Sequence, residues 1–408
     1  MSNILAIFAL LALISQPPAR ADSVRIGLFS LFRPQVLQAR IAAGNGATLD
    51  TGGISSAQAI APGQLIGIRL VGNHLSVTVS DSFGRIRQSF NATQARITPA
   101  GTATLELTLP GKMKRVVRGD LSVAAGERNH RGALKVILIT DRESAVASVV
   151  AAEISGERAP EAIKALAVVV RTFMLSHEGR HADEGFDFCD TTHCQFYRGE
   201  SDLSAELASP VIASAVAAVE GQHLSFDGKP VETYFTAVCG GRSVTPEMVW
   251  GGASDKGYQY HRVICRWCRA SPYANWRRSA SEASVLNALS IAVGFRLSHA
   301  ARIVADNDEA DGFARSVIIN DAGREVRMSA DEFRRAIGRK LGWGTVLSPT
   351  FTIERRGRSI IFRGKGFGSQ VGLCLAGAVA QAKAGLSYQE ILKFYYPQTE
   401  IRDRSSNE

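Results

Sequence analysis

The stretch Ala147–Phe173, ASVVAAEISGERAPEAIKALAVVVRTF, constrains the fold more than any other part of the chain. Its first half is apolar and ends in one carboxylate, Glu153, directly after Val149-Val150-Ala151-Ala152. A polar turn, Ser155-Gly156-Glu157-Arg158, leads to Pro160. Proline suits the first turn of a helix, where its missing N–H has no intrahelical partner to lose. Ile163, Leu166, Ala167, Val170 and Phe173 then recur at helical spacing, which predicts a buried amphipathic helix. Lys164 and Arg171 share one of its faces. A carboxyl at the edge of an apolar wall has its pKa raised, because desolvation disfavours the charged form, and that is the property a general acid needs. The same residues also permit a solvated glutamate at a helix entrance.

A chain of 408 residues has room for two domains, or for one with large insertions. Its 45% hydrophobic content is enough for a globular core. Ile4–Ile14 is an almost unbroken apolar run, followed by Ser15-Gln16-Pro17-Pro18 and the small-x-small triplet Ala19-Arg20-Ala21. This pattern predicts an export signal over 1–21 and a mature chain from Asp22. The run is short for a bilayer span, so an uncleaved anchor is the less favoured alternative. Loss of Arg20 with the leader takes the net charge from +9 to +8. Outside a cell such a protein is drawn to anionic polymers of the envelope. The basic residues are dispersed and no groove-reading helix or base-stacking sheet is evident, which argues against nucleic acid. The expectation is an exported protein of the cell envelope, peripheral to a membrane at most.

Residues 22–139 read as β-rich, with alternating runs such as Leu75–Val79, Thr104–Leu109 and Leu134–Ile139 separated by glycine-containing turns. Nothing there gathers titratable side chains in a pattern that chemistry needs. Residues 140–401 read as a mixed domain. They hold the organising helix, a helix over Leu203–Glu220, a hairpin turn at Asp227-Gly228, a strand over Glu232–Val238 and an insertion around 280–355. Helices follow at Leu373–Ala384 and Tyr388–Tyr395, and 402–408 reads as a disordered tail. The fold class is α+β, a mixed domain with a groove around Glu153 preceded by a β-rich portion.

Six cysteines in an exported chain need explaining. His181, Cys189, His193 and Cys194 offer two imidazoles and two thiolates in close succession, which suits a tetrahedral structural zinc. A Cys189–Cys194 disulfide is the competing account, favoured by an oxidising compartment. Cys239, Cys265 and Cys268 form a second group, for which a disulfide from Cys239 to one member of the Cys265-x-x-Cys268 pair is the plainer expectation. Cys374 stands apart and reads as a buried free thiol. No organic cofactor is expected.

Several motifs then coincide in one order along the chain. They are Glu153 ahead of Glu161–Ala167 and Arg171-Thr172, then Cys189-Asp190-Thr191-Thr192-His193-Cys194-Gln195-Phe196-Tyr197-Arg198-Gly199, and Cys239-Gly240-Gly241-Arg242-Ser243. Trp250-Gly251-Gly252, the glycine-rich Gly364–Gly372 segment and Ile391–Pro397 complete the series. In these motifs the chain resembles the SpoIID/LytB family of sporulation and cell-wall proteins from Ser148 to Ile401. The resemblance implies a lytic transglycosylase that cleaves peptidoglycan glycan strands, stripped of stem peptides, after N-acetylmuramic acid. One group, Glu153, would act as acid and then as base, leaving 1,6-anhydro ends. Lys164, Arg171, Gln195, Tyr197 and Ser369 fall where the family would contact substrate, and a cell-wall amidase is the implied partner. Some family members are thought to hold zinc in the His181–Cys194 region.

The chain also departs from that pattern. Ser369 stands where the glycine-rich segment usually carries histidine, Gln370 where glycine is expected, Cys374-Leu375 where Ser-Gln is usual, and Ile154-Ser155 in place of Met-Pro. Two other classes therefore stay open. One is a non-catalytic glycan-binding or amidase-stimulating paralogue. The other is a hydrolytic glycosidase with Asp190 or Glu232 as second carboxylate.

Overall fold

A computed structural model describes residues 22–52, 57–127, 130–154, 156–200, 210–252, 257–309 and 312–403. The expected leader and the first part of the helix expected over Leu203–Glu220 lie outside these residues. The chain divides into two compact units.

The first unit takes described residues up to Met113, then Arg118–Arg142 and Asp183–Phe188. It is built from antiparallel strands, as the alternation predicted. One sheet runs in the order Ser23–Leu28, Leu134–Asp141, Asp120–Ala125, Gln94–Pro99, Ala47–Asp50, Gln58–Ile60. The other contains Thr104–Leu109, Val36–Ala43, Leu65–Val71, His74–Ser80 and Ile86–Ala92 in that order. Because side chains alternate with period two, Leu134, Val136 and Leu138 share one face and are buried together. Strand His74–Ser80 packs across onto Gln94–Pro99 and Asp120–Ala125, so the inward faces of the two sheets close one core. Asp183–Phe188 returns to this unit and is held there by Asp187, whose carboxylate accepts from the Arg25 backbone N–H and guanidinium, both at 2.8 Å. Gly27 makes room for it, since a Cβ there would come within 2.7 Å of the Phe186 ring.

The second unit contains Lys114–Val117, Glu143–Ala182 and the described residues from Cys189 onward. Its helices are α1 (Arg142–Glu153, whose first residue belongs to the first unit), α2 (Pro160–Ser176), α3 (Pro210–Ala217), α4 (Pro246–Trp250), α5 (Glu282–Val293), α6 (Ala330–Leu341), α7 (Leu375–Lys383) and α8 (Tyr388–Tyr395). The organising helix is α2. It is buried almost all round, from Ala162 to Met174, rather than along one stripe, because α3, α7, α8 and the strand Gln222–Phe226 surround it. Pro160 opens it as expected. The hairpin turn is also as read, with Asp227 and Gly228 both at positive φ, 47° and 77°.

The insertion is a lobe with a core of its own, and that core reaches from Trp276 to Phe362, wider than the 280–355 expected. Helices α5 and α6 pack on each other, and Phe333 stacks on Phe351 with centroids 5.5 Å apart. Ser329 caps α6 in a reciprocal box with Glu332, and Ser387 with Glu390 does the same for α8. The first residues of the expected tail are ordered. Arg402 and Asp403 belong to the strand Glu400–Asp403, paired with His223 and Gln222, and 404–408 lies outside the described residues.

Candidate active site and cysteine clusters

Glu153 is the last residue of α1, between the buried Ala151 and Ile154. Burial alone raises its pKa from 4.5 to about 7. The negative end of the helix dipole acts in the same direction. Among the described residues no cation or hydrogen-bond donor to its carboxylate offsets the effect. The organising stretch thus delivers a lone, desolvated carboxyl, as its apolar pattern predicted. The concave surface expected around Glu153 is less direct. An open cleft of about 730 Å³ lies instead at the edge of the inserted lobe, where Arg277, Glu309, Thr350, Arg363 and Lys365 line it, and Glu153 does not.

The other end of α1 is built differently. The Arg171 guanidinium, 1% exposed, grips both carboxylate oxygens of Glu143 and donates to the Gln222 carbonyl at 2.8 Å. The expectation that Arg171 contacts substrate therefore gives way to a core clamp, because its donors are engaged inside the unit. Lys164, about two turns earlier on the same face of α2, is paired with Glu161 at 2.6 Å and lies 5.8 Å from the centre of the Tyr388 ring. Glu161 in turn accepts from the Tyr388 N–H, so this trio joins α2 to the start of α8.

The Cys189–Gly199 segment is tied down over α1. Ser148 donates from α1 to the Gly199 carbonyl at 3.0 Å, and Asp190 makes a buried ion pair with Arg115 at 2.6 Å. That pairing removes Asp190 from consideration as a second catalytic carboxylate. Gln195 and Tyr197, expected to contact substrate, are 7% and 3% exposed. Gln195 keeps one feature that packing does not explain: its Oε1 is buried with no hydrogen-bond partner among the described residues.

His181, Cys189, His193 and Cys194 do come together, with ligand atoms within 4.8 Å of one another. Cys194 Sγ is 3.4 Å from His181 Nε2, and His193 Nδ1 is 3.7 Å from each sulfur. A tetrahedron with metal–sulfur bonds of ~2.3 Å and metal–nitrogen bonds of ~2.0 Å has edges of about 3.3–3.8 Å, so the four residues fit a metal ion. Cys189 and Cys194 are free thiols, and hydrogen bonding from Cys194 draws Cys189 toward the thiolate, with His193 and Thr191 adding to it.

The glycine-rich segment forms a tight loop whose departures from the family pattern are accommodated locally. Gln370 adopts φ 66°, the left-handed region that suits glycine. Its buried side chain compensates, accepting from Thr350 Oγ1 at 2.8 Å and donating to the Cys239 and Lys365 carbonyls at 2.7 and 3.1 Å. Ser369 is half-buried and accepts from the Val371 N–H. Leu375 starts α7 in the core. Cys374 is not isolated: it joins Cys239, Cys265 and Cys268. All four are free thiols, which replaces the expected disulfide from Cys239.

Sequence reasoning missed an aromatic wall. Tyr234 contacts Trp250 at 4.9 Å, Tyr260 at 6.2 Å and His177 at 5.8 Å between ring centres. Trp250 remains 46% exposed, and Tyr234 donates to Glu232 at 3.3 Å. Trp250-Gly251-Gly252 was visible as a motif, but no spacing linked it to Tyr234. Tyr396 anchors this wall from below, its hydroxyl accepting from the Tyr234 N–H at 2.9 Å and donating to the Tyr234 carbonyl.

Comparison with known proteins points to the same family. Residues 130–226 match the description "SpoIID: Stage II sporulation protein". An uncharacterized protein of Brachyspira hyodysenteriae is 30% identical over 267 residues, 64% of this chain and 66% of that protein, just short of two thirds of its length. Stage II sporulation protein D of Bacillus subtilis is 28% identical over 275 residues, 64% of this chain and 74% of that protein. Over these stretches the chain is similar to the SpoIID family. A shorter match, 38% identical over 77 residues, links 19% of the chain to 10% of a Bacillus subtilis protein named "Amidase enhancer". The SpoIID match spans Glu153, α2 and the His181–Cys194 quartet, so the family-matched region carries the lone carboxyl and the first cluster together.

Proposed function

We propose that this chain is a SpoIID-family cell-wall protein that cleaves denuded peptidoglycan glycan strands as a lytic transglycosylase. The observation that carries the reading is Glu153, half-buried, without a partner to its carboxylate among the described residues, and raised by desolvation to about 7. At neutral pH such a carboxyl is split between its two forms, so one group can serve both halves of the reaction. Protonated, it donates to the glycosidic oxygen after N-acetylmuramic acid. Ionised, it takes the proton of the C6 hydroxyl, which closes onto the anomeric carbon. No water is consumed and no second carboxylate is required, in contrast to the usual paired-carboxylate hydrolases. This fits the engagement of Asp190 with Arg115. The exposed Trp250 on its aromatic wall offers a face on which a sugar ring can stack. His181, Cys189, His193 and Cys194 would hold a structural zinc, which supplies no chemistry to the substrate because four protein ligands leave no open position. The substrate requires export to the cell envelope and an amidase acting beforehand to remove the stem peptides.

The test is product analysis on amidase-treated glycan in oxygen-labelled water. Anhydro ends without label support the reading, and labelled reducing ends would assign a hydrolase. A second reading, a glycan-binding protein that stimulates an amidase, draws on the 77-residue match to the Amidase enhancer. It predicts uncut strands that co-sediment with the protein and faster peptide release by an added amidase.

A further inference from the structure

Four cysteines from three distant stretches converge in the second unit. Cys239 follows the short strand Phe235–Thr236, Cys265 and Cys268 bracket the start of the Trp267–Ala270 turn, and Cys374 precedes α7. All are at most 1% exposed, and their sulfurs lie within 4.8 Å of one another, with Cys239 and Cys268 at 3.6 Å. Donors face the sulfurs: the Cys239 N–H points at Cys374 Sγ at 3.3 Å, and the Tyr395 hydroxyl lies 3.2 Å from Cys265 Sγ. Gly377 leaves the space they fill, since a Cβ there would come within 2.8 Å of Cys265 Sγ.

Apolar packing alone does not require four sulfurs at one point with donors aimed at them. Two disulfides would gather them into two bonded pairs at ~2.05 Å, and all four are free thiols. A tetrahedral tetrathiolate around one ion, with metal–sulfur bonds of ~2.3 Å, sets sulfurs about 3.8 Å apart, close to the arrangement present. A four-iron cluster places a thiolate outside each corner of its cube and needs wider spacing than this. We propose that Cys239, Cys265, Cys268 and Cys374 bind one structural zinc ion, at a site separate from the His181, Cys189, His193 and Cys194 quartet. The N–H and O–H donors offset the surplus negative charge of four thiolates on a divalent ion. The ion ties the Cys239–Gly241 loop, the Cys265–Cys268 turn and the end of the glycine-rich segment to one point. There the backbone supplies the two-residue parallel pairing of Phe235–Thr236 with Leu373–Cys374 and isolated bonds such as those from the Cys265 N–H to the Gly241 carbonyl and from the Ala376 N–H to the Ala237 carbonyl.

The test is zinc content and zinc-edge X-ray absorption on the full chain, purified without chelator and with a mild reductant. The proposal expects about two zinc ions per chain and an average of about three sulfurs per ion, four at one site and two at the other. Cys374→Ser, and independently Cys268→Ser, should each remove about one ion and lower the average to about two sulfurs, whereas Cys194→Ser should raise it toward four. The wild-type spectrum decides the matter even if a variant fails to fold. One ion per chain with about two sulfurs overturns the proposal, as does recovery of disulfides among these four cysteines by peptide mapping of protein kept non-reducing throughout.

Discussion

The two ends of α1 carry the same side chain in opposite circumstances. At the start, Glu143 is locked by both arms of Arg171, and the pair holds α1 against α2 and the Gln222 carbonyl. Ten residues on, about 15 Å along the axis, Glu153 is desolvated and has no cation at its carboxylate among the described residues. A buried carboxylate with a guanidinium is a fastening. Without one it holds its proton to neutral pH and can give it away. Helix and residue type are shared, so the guanidinium partner, together with the end of the helix dipole each residue occupies, separates the fastened glutamate from the one that keeps its proton.

The largest effect expected from breaking this contrast falls on chemistry. Glu153→Gln should leave folding intact and reduce cleavage of denuded glycan by more than about a thousandfold, within the range set by loss of a general acid with no substitute. Retained cleavage in a product assay would sink the assignment. At the other end, Arg171→Ala should cost roughly 3 kcal/mol, because the half-buried Glu143 loses its partner and the fully buried Arg171 side chain leaves a void. Denaturant titration of Arg171→Ala, Glu143→Ala and the double variant should show strong coupling, with the double less damaging than the sum.

Exchanging Glu153 should also show on stability, in the opposite sense. The native carboxyl keeps its proton between pH 4.5 and about 7, while the unfolded chain has released it. The folded state therefore binds more protons in that window, and wild-type stability falls as pH rises through it. The shift corresponds to at most about 3 kcal/mol. Glu153→Gln lacks the slope, so unfolding curves of the two proteins should coincide below pH 4.5 and separate above pH 7, the variant being the more stable. The same titration governs rate: with the acid form needed first, turnover should fall about tenfold per unit above pH 7. A rate that rises across that range would assign the group a base role only.

How much of this was legible in the chain depended on range. Pro160, the α2 periodicity, the Asp227-Gly228 turn and the α8 limits are local signals, and local geometry obeyed them. The His181–Cys194 quartet was readable because one short loop carries all its members. Cys374 was misread because its partners lie far back in the sequence, and no spacing rule joins them. The strand expected over Glu232–Val238 shrinks to Phe235–Thr236 because Thr233 donates to the Val169 carbonyl of α2 and Tyr234 is taken by Tyr396, so side-chain ties replace ladder bonds. Arg171 looked available because a helical face says where a side chain starts, and not which buried carboxylate it will meet. Gln370 looked like damage to a glycine-rich loop until its side chain was seen bridging Thr350, Lys365 and the Cys239 carbonyl.

The smallest expected effect concerns Lys164, on α2 about two turns before Arg171. Its ammonium is already paired with Glu161 and faces the Tyr388 ring, while its side chain is 24% exposed. A half-exposed pair on one helix with a modest cation–π contribution is worth about 0.5–1 kcal/mol in all. Lys164→Met keeps the stem and removes the charge. It should lower the melting temperature slightly, because α8 loses part of its tie to α2, and leave turnover within about twofold, since nothing in this pairing tunes Glu153. A fall of more than about tenfold in kcat/KM with unchanged stability would move Lys164 from the fastening to the substrate surface. The contrast between the ends of α1 would then extend along α2, with Arg171 holding the fold and Lys164 holding the glycan.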